Sequence, residues 1–519
     1  MSTWSSGYVS EIDYTYGYYR ELSPVWLRLC LLSKLQHSRT GEPLRYLELG
    51  FGQGLSLNIH AASVPGEYWG TDINPVHAAG AAEMAAAAGS NLRVLDSSFE
   101  ELAARDDLPE FDVITLHGIW SWISDANRRT IVDIAKRRLA VGGILYISYN
   151  STPGWSAAMP LRHLMTLHAE LASGEAQGVV SKVEAALGFA QSVVDAKARY
   201  FAANPAVAEQ LKRISEQNRH YLAHEYFNAD WLPMPFSDVA TYLDKAKLSF
   251  AASANILDHI ENLNVNPEQQ KLLELLQHPV LRESVRDYLI NQRFRKDIWI
   301  KGGRGLSPVQ HTRLLRTQSF VLITPAADIP LKVQGGIGEA DLQAEIFTPT
   351  VEALASRDYT PKTFMQIFEI LQKTAPALNQ AQLAQALIVL SGAGYVSPVQ
   401  PDTQRVTAQK TTEKLNNYLM ERAGYSGDIN YLASPVVGGG IGATRVQQLF
   451  LRAIAEGKQN APDAAQDAWN TIKSQGGRMV KDGKPLESED DNRAEMTKQA
   501  TEFFEKGLPI FKAVGIAAA

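Results

Sequence analysis

Glu48, followed by glycines at 50, 52 and 54, is the first place in this chain where residue types and spacing could do chemistry. Glycine lets a backbone turn sharply and come close to a ligand, because no side chain blocks the approach. The spacing restricts which ligand. A dinucleotide fingerprint needs G-x-G-x-x-G, with a helix N-terminus facing a pyrophosphate. Here the last two glycines stand one residue apart, and the Glu48 carboxylate would repel phosphate and favour a cation. Asp72 follows at a distance of about twenty residues, where a carboxylate can accept hydrogen bonds from both hydroxyls of a ribose.

Such residues work only if strands and helices hold them. The run from Arg45 to Gly54 is a strand and a tight turn, and it opens into a helix-like segment from Leu55 to Ala62. A second short strand ends at Asp72. A third runs from Asn91 towards Phe99 with Ser97 and Ser98 at its polar end, a fourth from Phe111 to His117 ahead of Trp120 and Trp122, and a fifth from Gly142 to Tyr149. Helical intervals separate them, among them the alanine-rich Val76 to Ala88. Alternating strand and helix predicts a parallel sheet with ligands at the carboxyl ends of its strands, where all the polar candidates fall.

An acidic residue followed by G-x-G-x-G resembles the first motif of class I S-adenosylmethionine-dependent methyltransferases. The resemblance implies a Rossmann-like α/β sheet and S-adenosyl-L-methionine as cofactor. It implies Glu48 on the amino group of the methionine moiety, Gly50, Gly52 and Gly54 for close backbone approach, and Asp72 on the ribose. Ile73 and Phe99 would pack the adenine, Ser97 or Ser98 would bond its exocyclic nitrogen, and His117 would end the fourth strand beside the methyl group.

Composition bounds the rest. A chain of 519 residues exceeds one ordinary domain, and 45% hydrophobic against 20% charged residues describes a globular protein with ample core. A net charge of −6 leaves no cationic footprint for nucleic acid, which is not expected as a partner. The single cysteine, Cys30, sits in the apolar run Val25 to Leu32 and reads as a buried inert thiol in a reducing compartment. The first residues lack a signal-peptide pattern and no apolar run approaches the length of a membrane span, so a cytoplasmic enzyme with no membrane partner is expected. No His and Cys spacing resembles a metal site.

Ahead of the first strand, Tyr14, Tyr16, Tyr18 and Tyr19 crowd into six residues. Each buried phenol needs a hydrogen-bond partner, so the segment reads either as a lid folded over the cofactor with its tyrosines facing the site, Tyr16 on the cofactor itself, or as an aromatic packing patch. From Leu161 to Gln217 the chain reads as helices that extend the catalytic domain or form a dimer contact. Then Tyr221 to Arg304, with Ala223-His-Glu-Tyr226, Phe236-Ser-Asp-Val239 and the charged run from Leu281 to Asp297, resembles the methyltransferase regulatory domain. That domain accompanies the catalytic one in bacterial lysine methyltransferases that modify outer-membrane proteins, and the tyrosine segment and Leu432 to Ile441 resemble the same group. The resemblance implies a homodimer that methylates lysine in a protein substrate, an outer-membrane or surface protein before export.

The boundaries read as 1–217 for the catalytic domain with its lid and helical extension, 218–304 for the regulatory domain, 305–408 for a third module and 409–519 for a helical C-terminal domain. In the third module two amphipathic helices, from Thr360 and from Asn379, precede a short β wing after Gly392, which suggests a winged helix. The second helix carries no Lys or Arg from Asn379 to Leu387, which favours docking over DNA binding.

Methyl transfer to lysine meets a specific difficulty. With a free pKa near 10.4, only about one amine in 10³ is neutral at pH 7, a cost of roughly 4 to 5 kcal/mol. An aromatic channel lowers that pKa by disfavouring the charged form, which gives Tyr14, Tyr18 and Trp120 a catalytic use without a dedicated base. His224 and Glu225 either accept the proton or orient the substrate, or form a structural hydrogen-bonded pair. Two rival readings stand beside lysine methylation: a small-molecule methyltransferase with accessory domains, and a regulatory protein on a methyltransferase scaffold.

Overall fold

The computed structural model describes residues 15–39, 43–172, 174, 178–217, 219, 222, 226, 228 and 230–518. Seven strands form the central sheet: β1 (Leu44–Leu49), β2 (Gly66–Thr71), β3 (Leu92–Leu95), β4 (Phe111–Leu116), β5 (Leu139–Asn150), β6 (Leu248–Ser253) and β7 (Phe294–Lys301). Their spatial order is 3-2-1-4-5-7-6. β1 to β5 are parallel, and β7 enters antiparallel between β5 and β6. β4 is buried at every residue, as expected of a parallel strand covered on both faces.

Local chemistry fixes the elements beside the glycine turn. Helix α1 (Pro24–Ser33) precedes β1, and α2 (Leu55–Ser63) starts at Gly54, whose backbone is left-handed at φ 72°. Helix α3 (Pro75–Ala88) is capped by Asn74, whose side chain accepts from the Val76 N–H, has proline in its first turn and stops at left-handed Gly89. Helix α4 (Phe99–Ala104) carries a capping box between Ser98 and Glu101. Helix α5 (Asp125–Arg138) joins β4 to β5, preceded by a 3-10 turn at Trp120–Trp122.

The sixth and seventh strands come from within 218–304. The charged run of that region builds a buried ionic cluster under them: Arg295 on β7 pairs with Glu283 and Asp297, both at 2.9 Å, and with Asp287. Burial and the neighbouring Asp297 carboxylate push Asp287 up to about 7 against the opposing pull of Arg295. Between β5 and β6 the chain adds helices α6 (Met159–Leu171), α7 (Val179–Asp195), α8 (Arg199–Ala203) and α9 (Pro205–Ser215), which share an apolar core of their own.

One face of the sheet packs with α1 against residues 320–396, where strand Ser319–Leu322 lies between Lys362–Thr363 and Val396–Val399 beside helices Ala344–Ala355, Phe364–Thr374 and Gln380–Gly392. The strand after the last of these three helices thus pairs with one upstream of all of them. The C-terminal part is helical apart from two small hairpins, and it covers α2. There Thr411 donates to the Ala62 carbonyl at 2.6 Å and Gln400 to that of Ser63 at 2.7 Å. No helix among the described residues is long and apolar enough to cross a membrane. Cys30 is buried, and burial pushes its thiol well above the usual range, which disfavours the thiolate.

Candidate functional site

In the sheet the chain reverses direction of growth between β1 and β4, and a crevice opens beyond the carboxyl ends of these strands. A cavity of about 840 Å³ occupies it. The glycine turn after β1 forms its floor. Gly50, Gly52 and Gly54 all have positive φ, and a Cβ would come within 2.5 Å of Ile119 at Gly50 and within 2.6 Å of Ala81 at Gly54. Larger residues are therefore excluded by backbone conformation and by space alike.

Asp72, just beyond β2, holds that turn and faces the cavity. Its Oδ2 accepts from the Gly52 N–H at 2.8 Å, and its Oδ1 accepts from the Asn74 N–H at 3.0 Å and lies 3.3 Å from His77 Nδ1. Glu48 is 3% exposed and meets the Tyr46 hydroxyl at 3.3 Å. Burial, opposed by that hydrogen bond and reinforced by the Asp72 charge, pushes its carboxyl up to about 8. Ile73, Ser97, Ser98 and Phe99 line the same end of the cavity. The Ser98 hydroxyl is engaged by the Glu101 N–H at the start of α4, which leaves Ser97 as the less committed of the two.

His117 closes β4 on the opposite wall. Its ring stacks on Tyr19 with centroids 4.0 Å apart, and its Nδ1 lies 2.8 Å from the Tyr146 hydroxyl. Burial lowers its pKa to about 4, so the imidazole is neutral at pH 7. Beyond it lie Trp122, Asn150, Asp230 and Phe294.

The segment before α1 crosses the cavity as an extended strap, and its residues alternate. Thr15, Gly17 and Tyr19 line the cavity. Ser56 on α2 fixes this side, accepting from the Tyr19 N–H at 3.0 Å and donating to the Gly17 carbonyl at 3.3 Å. Tyr16 and Tyr18 face the C-terminal part. The Arg422 guanidinium lies 4.9 Å from the Tyr16 ring, and Tyr18 packs on Tyr431 and meets His60 Nε2 at 3.3 Å. The expectation of Tyr16 on the cofactor and Tyr18 in catalysis is corrected accordingly: successive side chains of extended backbone point to opposite sides, and the cavity takes the odd ones.

Trp120 is also corrected. It is buried in the core and donates to the Met234 sulfur at 3.3 Å, while Trp122, two residues on in a 3-10 turn, faces the cavity. Tyr14, His224 and Glu225 lie outside the described residues. Asn150, Asp230 and Phe294 line the cavity unannounced by the sequence, which marks Tyr19 only as one of the four tyrosines of the lid. Tyr19 was within reach through strand alternation, and Asn150 through its place at the end of the fifth strand.

The charges lining the cavity are one-sided. Glu48, Asp72, Asp96, Glu100, Glu101 and Asp230 line it, and among the described residues no Lys or Arg does. Such a site opposes phosphate and suits a ligand that carries positive charge. The buried carboxyl of Glu48 has no cationic partner among the described residues, which fits the ammonium of an amino-acid moiety. Asp72 fits vicinal hydroxyls.

Residues 47–143 match the family described as a methyltransferase domain, and residues 218–301 that described as a predicted methyltransferase regulatory domain. The uncharacterized protein sll1526 of Synechocystis sp. is 39% identical over 517 residues, 99% of this chain and 100% of that protein. The solved structure of PKMT2 from Rickettsia typhi in complex with AdoHcy shares the fold with a TM-score of 0.71 at 18% identity, over 97% of this chain and 100% of that one. The uncharacterized protein RP789 of Rickettsia prowazekii is 28% identical over 261 residues, 49% of this chain and 45% of that protein.

Proposed function

This chain belongs to the S-adenosylmethionine-dependent methyltransferases that carry a methyltransferase regulatory domain, and on that premise we propose that it methylates the side-chain amine of lysine in a protein. The observation that carries the reading is the one-sided acidic charge of the cavity, which suits a sulfonium cofactor and attracts an amine that arrives as ammonium and loses its proton before transfer. The cofactor, when bound, supplies a methyl group on sulfur; the amine lone pair takes it, the C–S electron pair returns to sulfur, and the amine proton passes to solvent.

The chain's own residues would do the following. Glu48 holds the amino group of the methionine moiety and Asp72 the ribose, with Ile73 and Phe99 against the adenine and Ser97 within the same wall. His117, neutral at working pH, adds no charge beside the sulfonium. Tyr19, Trp122 and Phe294 supply apolar surface that disfavours the protonated amine. The likeness of the tyrosine segment, the regulatory region and residues 432–441 to bacterial lysine methyltransferases of outer-membrane proteins supports the substrate class. A cytoplasmic homodimer acting on such a protein before export belongs to the same proposal.

Incubation with methyl-labelled S-adenosylmethionine and fractionated lysates, followed by hydrolysis of labelled protein bands, tests it. Label recovered as methyl-lysine is expected. Label confined to small molecules would replace the protein acceptor with a small one, and cofactor binding without any transfer would favour a regulatory scaffold.

A further inference from the structure

The cofactor residues account for the cavity from the glycine turn to His117, and leave its far wall unassigned. Asn150 stands there at the end of β5. It is 7% exposed and lines the cavity, yet its carboxamide makes no hydrogen bond among the described residues. Its backbone, in contrast, is clamped on both sides: its N–H donates to Ser121 Oγ at 2.9 Å and its carbonyl accepts from the Met234 N–H at 3.0 Å. Its carboxamide therefore opens only onto the cavity, where a bound ligand can take its hydrogen bonds. Asp230, on the adjoining segment, adds a carboxylate that lines the cavity and is close enough to the Arg128 guanidinium to act on it electrostatically, without a direct salt bridge among the described residues.

The segment that carries Asp230 is itself held in place. The Leu232 N–H donates to the Ser121 carbonyl at 2.8 Å, and Arg162 donates to the Asn228 carbonyl at 2.8 Å while its guanidinium lies 4.7 Å from the Trp231 ring. Trp231 in turn packs on Trp122 and Trp155, at 6.2 and 5.2 Å between centroids. Trp122 lines the cavity together with Asn150 and Asp230, and an apolar face beside fixed polar groups matches an apolar stem that ends in an N–H donor.

We propose that the wall formed by Asn150 and Asp230 is the acceptor subsite, which takes the N–H groups of the incoming amine. A neutral primary amine has two hydrogens to donate and one lone pair. Acceptors behind the nitrogen hold the hydrogens and leave the lone pair facing the cofactor end. The same wall rejects a carboxylate acceptor by like charge, so Asn150 and Asp230 set specificity for amines as well as orientation. This inference rests on the methyltransferase reading and refines it at residues the cofactor does not use.

The test needs no protein substrate. Sinefungin replaces the sulfur of S-adenosylhomocysteine with an amine-bearing carbon, and so presents an ammonium where the methyl group and the acceptor meet. Both are titrated against the full-length protein and against Asn150→Ala and Asp230→Asn. The wild type is expected to prefer sinefungin by about tenfold, and each variant to lose most of that preference while its affinity for S-adenosylhomocysteine stays within about twofold. That unchanged affinity also certifies the fold, and the isosteric Asp230→Asn keeps the test decisive if Asn150→Ala disturbs β5. Variants that keep the wild-type preference, or lose both ligands equally with an intact fold, would overturn the subsite. A wild type that binds neither ligand would overturn the methyltransferase reading together with it. Loss of the preference in the variants, with no protein lysine labelled by the wild type, would leave the amine subsite standing and remove the protein substrate.

Discussion

Asp72 Oδ2 accepts the backbone N–H of Gly52 at 2.8 Å, so the carboxylate at the end of β2 holds the glycine turn that follows β1. One residue thereby serves two purposes: it shapes the floor of the cavity and offers its remaining lone pairs to a ribose. Asp72→Ala removes both and is expected to weaken S-adenosylmethionine binding by about 1.5 to 3 kcal/mol, the range for lost hydrogen bonds to a charged group. Asp72→Asn retains an acceptor and should cost less. Titration calorimetry measures both; unchanged affinity in the alanine variant would remove Asp72 from the cofactor site.

Glu48 makes binding pH-dependent. Its carboxyl is pushed up to about 8 by burial, so below that pH the ligand-free protein holds it protonated. A bound cation favours the ionised form, so binding releases a proton, and affinity should rise from pH 6 to pH 8 and level off above. The linked effect on stability has the opposite direction. A carboxyl whose folded pKa lies above its ordinary value contributes stability that is fully present below pH 4.5 and is lost as pH rises through about 8. Calorimetry in two buffers of different ionisation enthalpy at pH 6.5 should detect the proton. Glu48→Gln should abolish both the proton release and the pH dependence.

The parts of this architecture that were legible in the sequence are those where local chemistry decides the outcome. The glycine turn, Asp72 and the first five strands belong here, because positive φ, close approach and apolar runs leave a direct mark. The last two strands did not show themselves. β7 carries Arg295, Lys296, Asp297 and Lys301 in eight residues, and reads as a charged surface segment until its charges are seen paired in the interior. The misplaced aromatics have a similar origin. A strap with a two-residue period presents Tyr16 and Tyr18 or Tyr19 according to which face meets the cavity, and only the packed C-terminal part, some 400 residues away in sequence by the Tyr16 to Arg422 separation, decides between them.

That long-range anchor can be broken without touching the cavity. Arg422 donates to the Tyr16 hydroxyl at 3.4 Å, covers its ring, and is itself held by Asp428 at 2.6 Å. Since Thr15, Gly17 and Tyr19 on the same strap line the cavity, releasing Tyr16 frees residues that face the cofactor. Arg422→Met is expected to weaken S-adenosylmethionine binding by about 1 kcal/mol, the scale of a partly exposed cation–π contact, with the acceptor amine bound as before. Tyr16→Phe keeps the ring and should weaken it less. The order of the two variants matters more than either value, because a strap held by its ring predicts Arg422→Met as the more severe. Equal cofactor affinity in Arg422→Met and wild type, with only a lower melting temperature, would make the contact a brace of the C-terminal part and free the strap from its control.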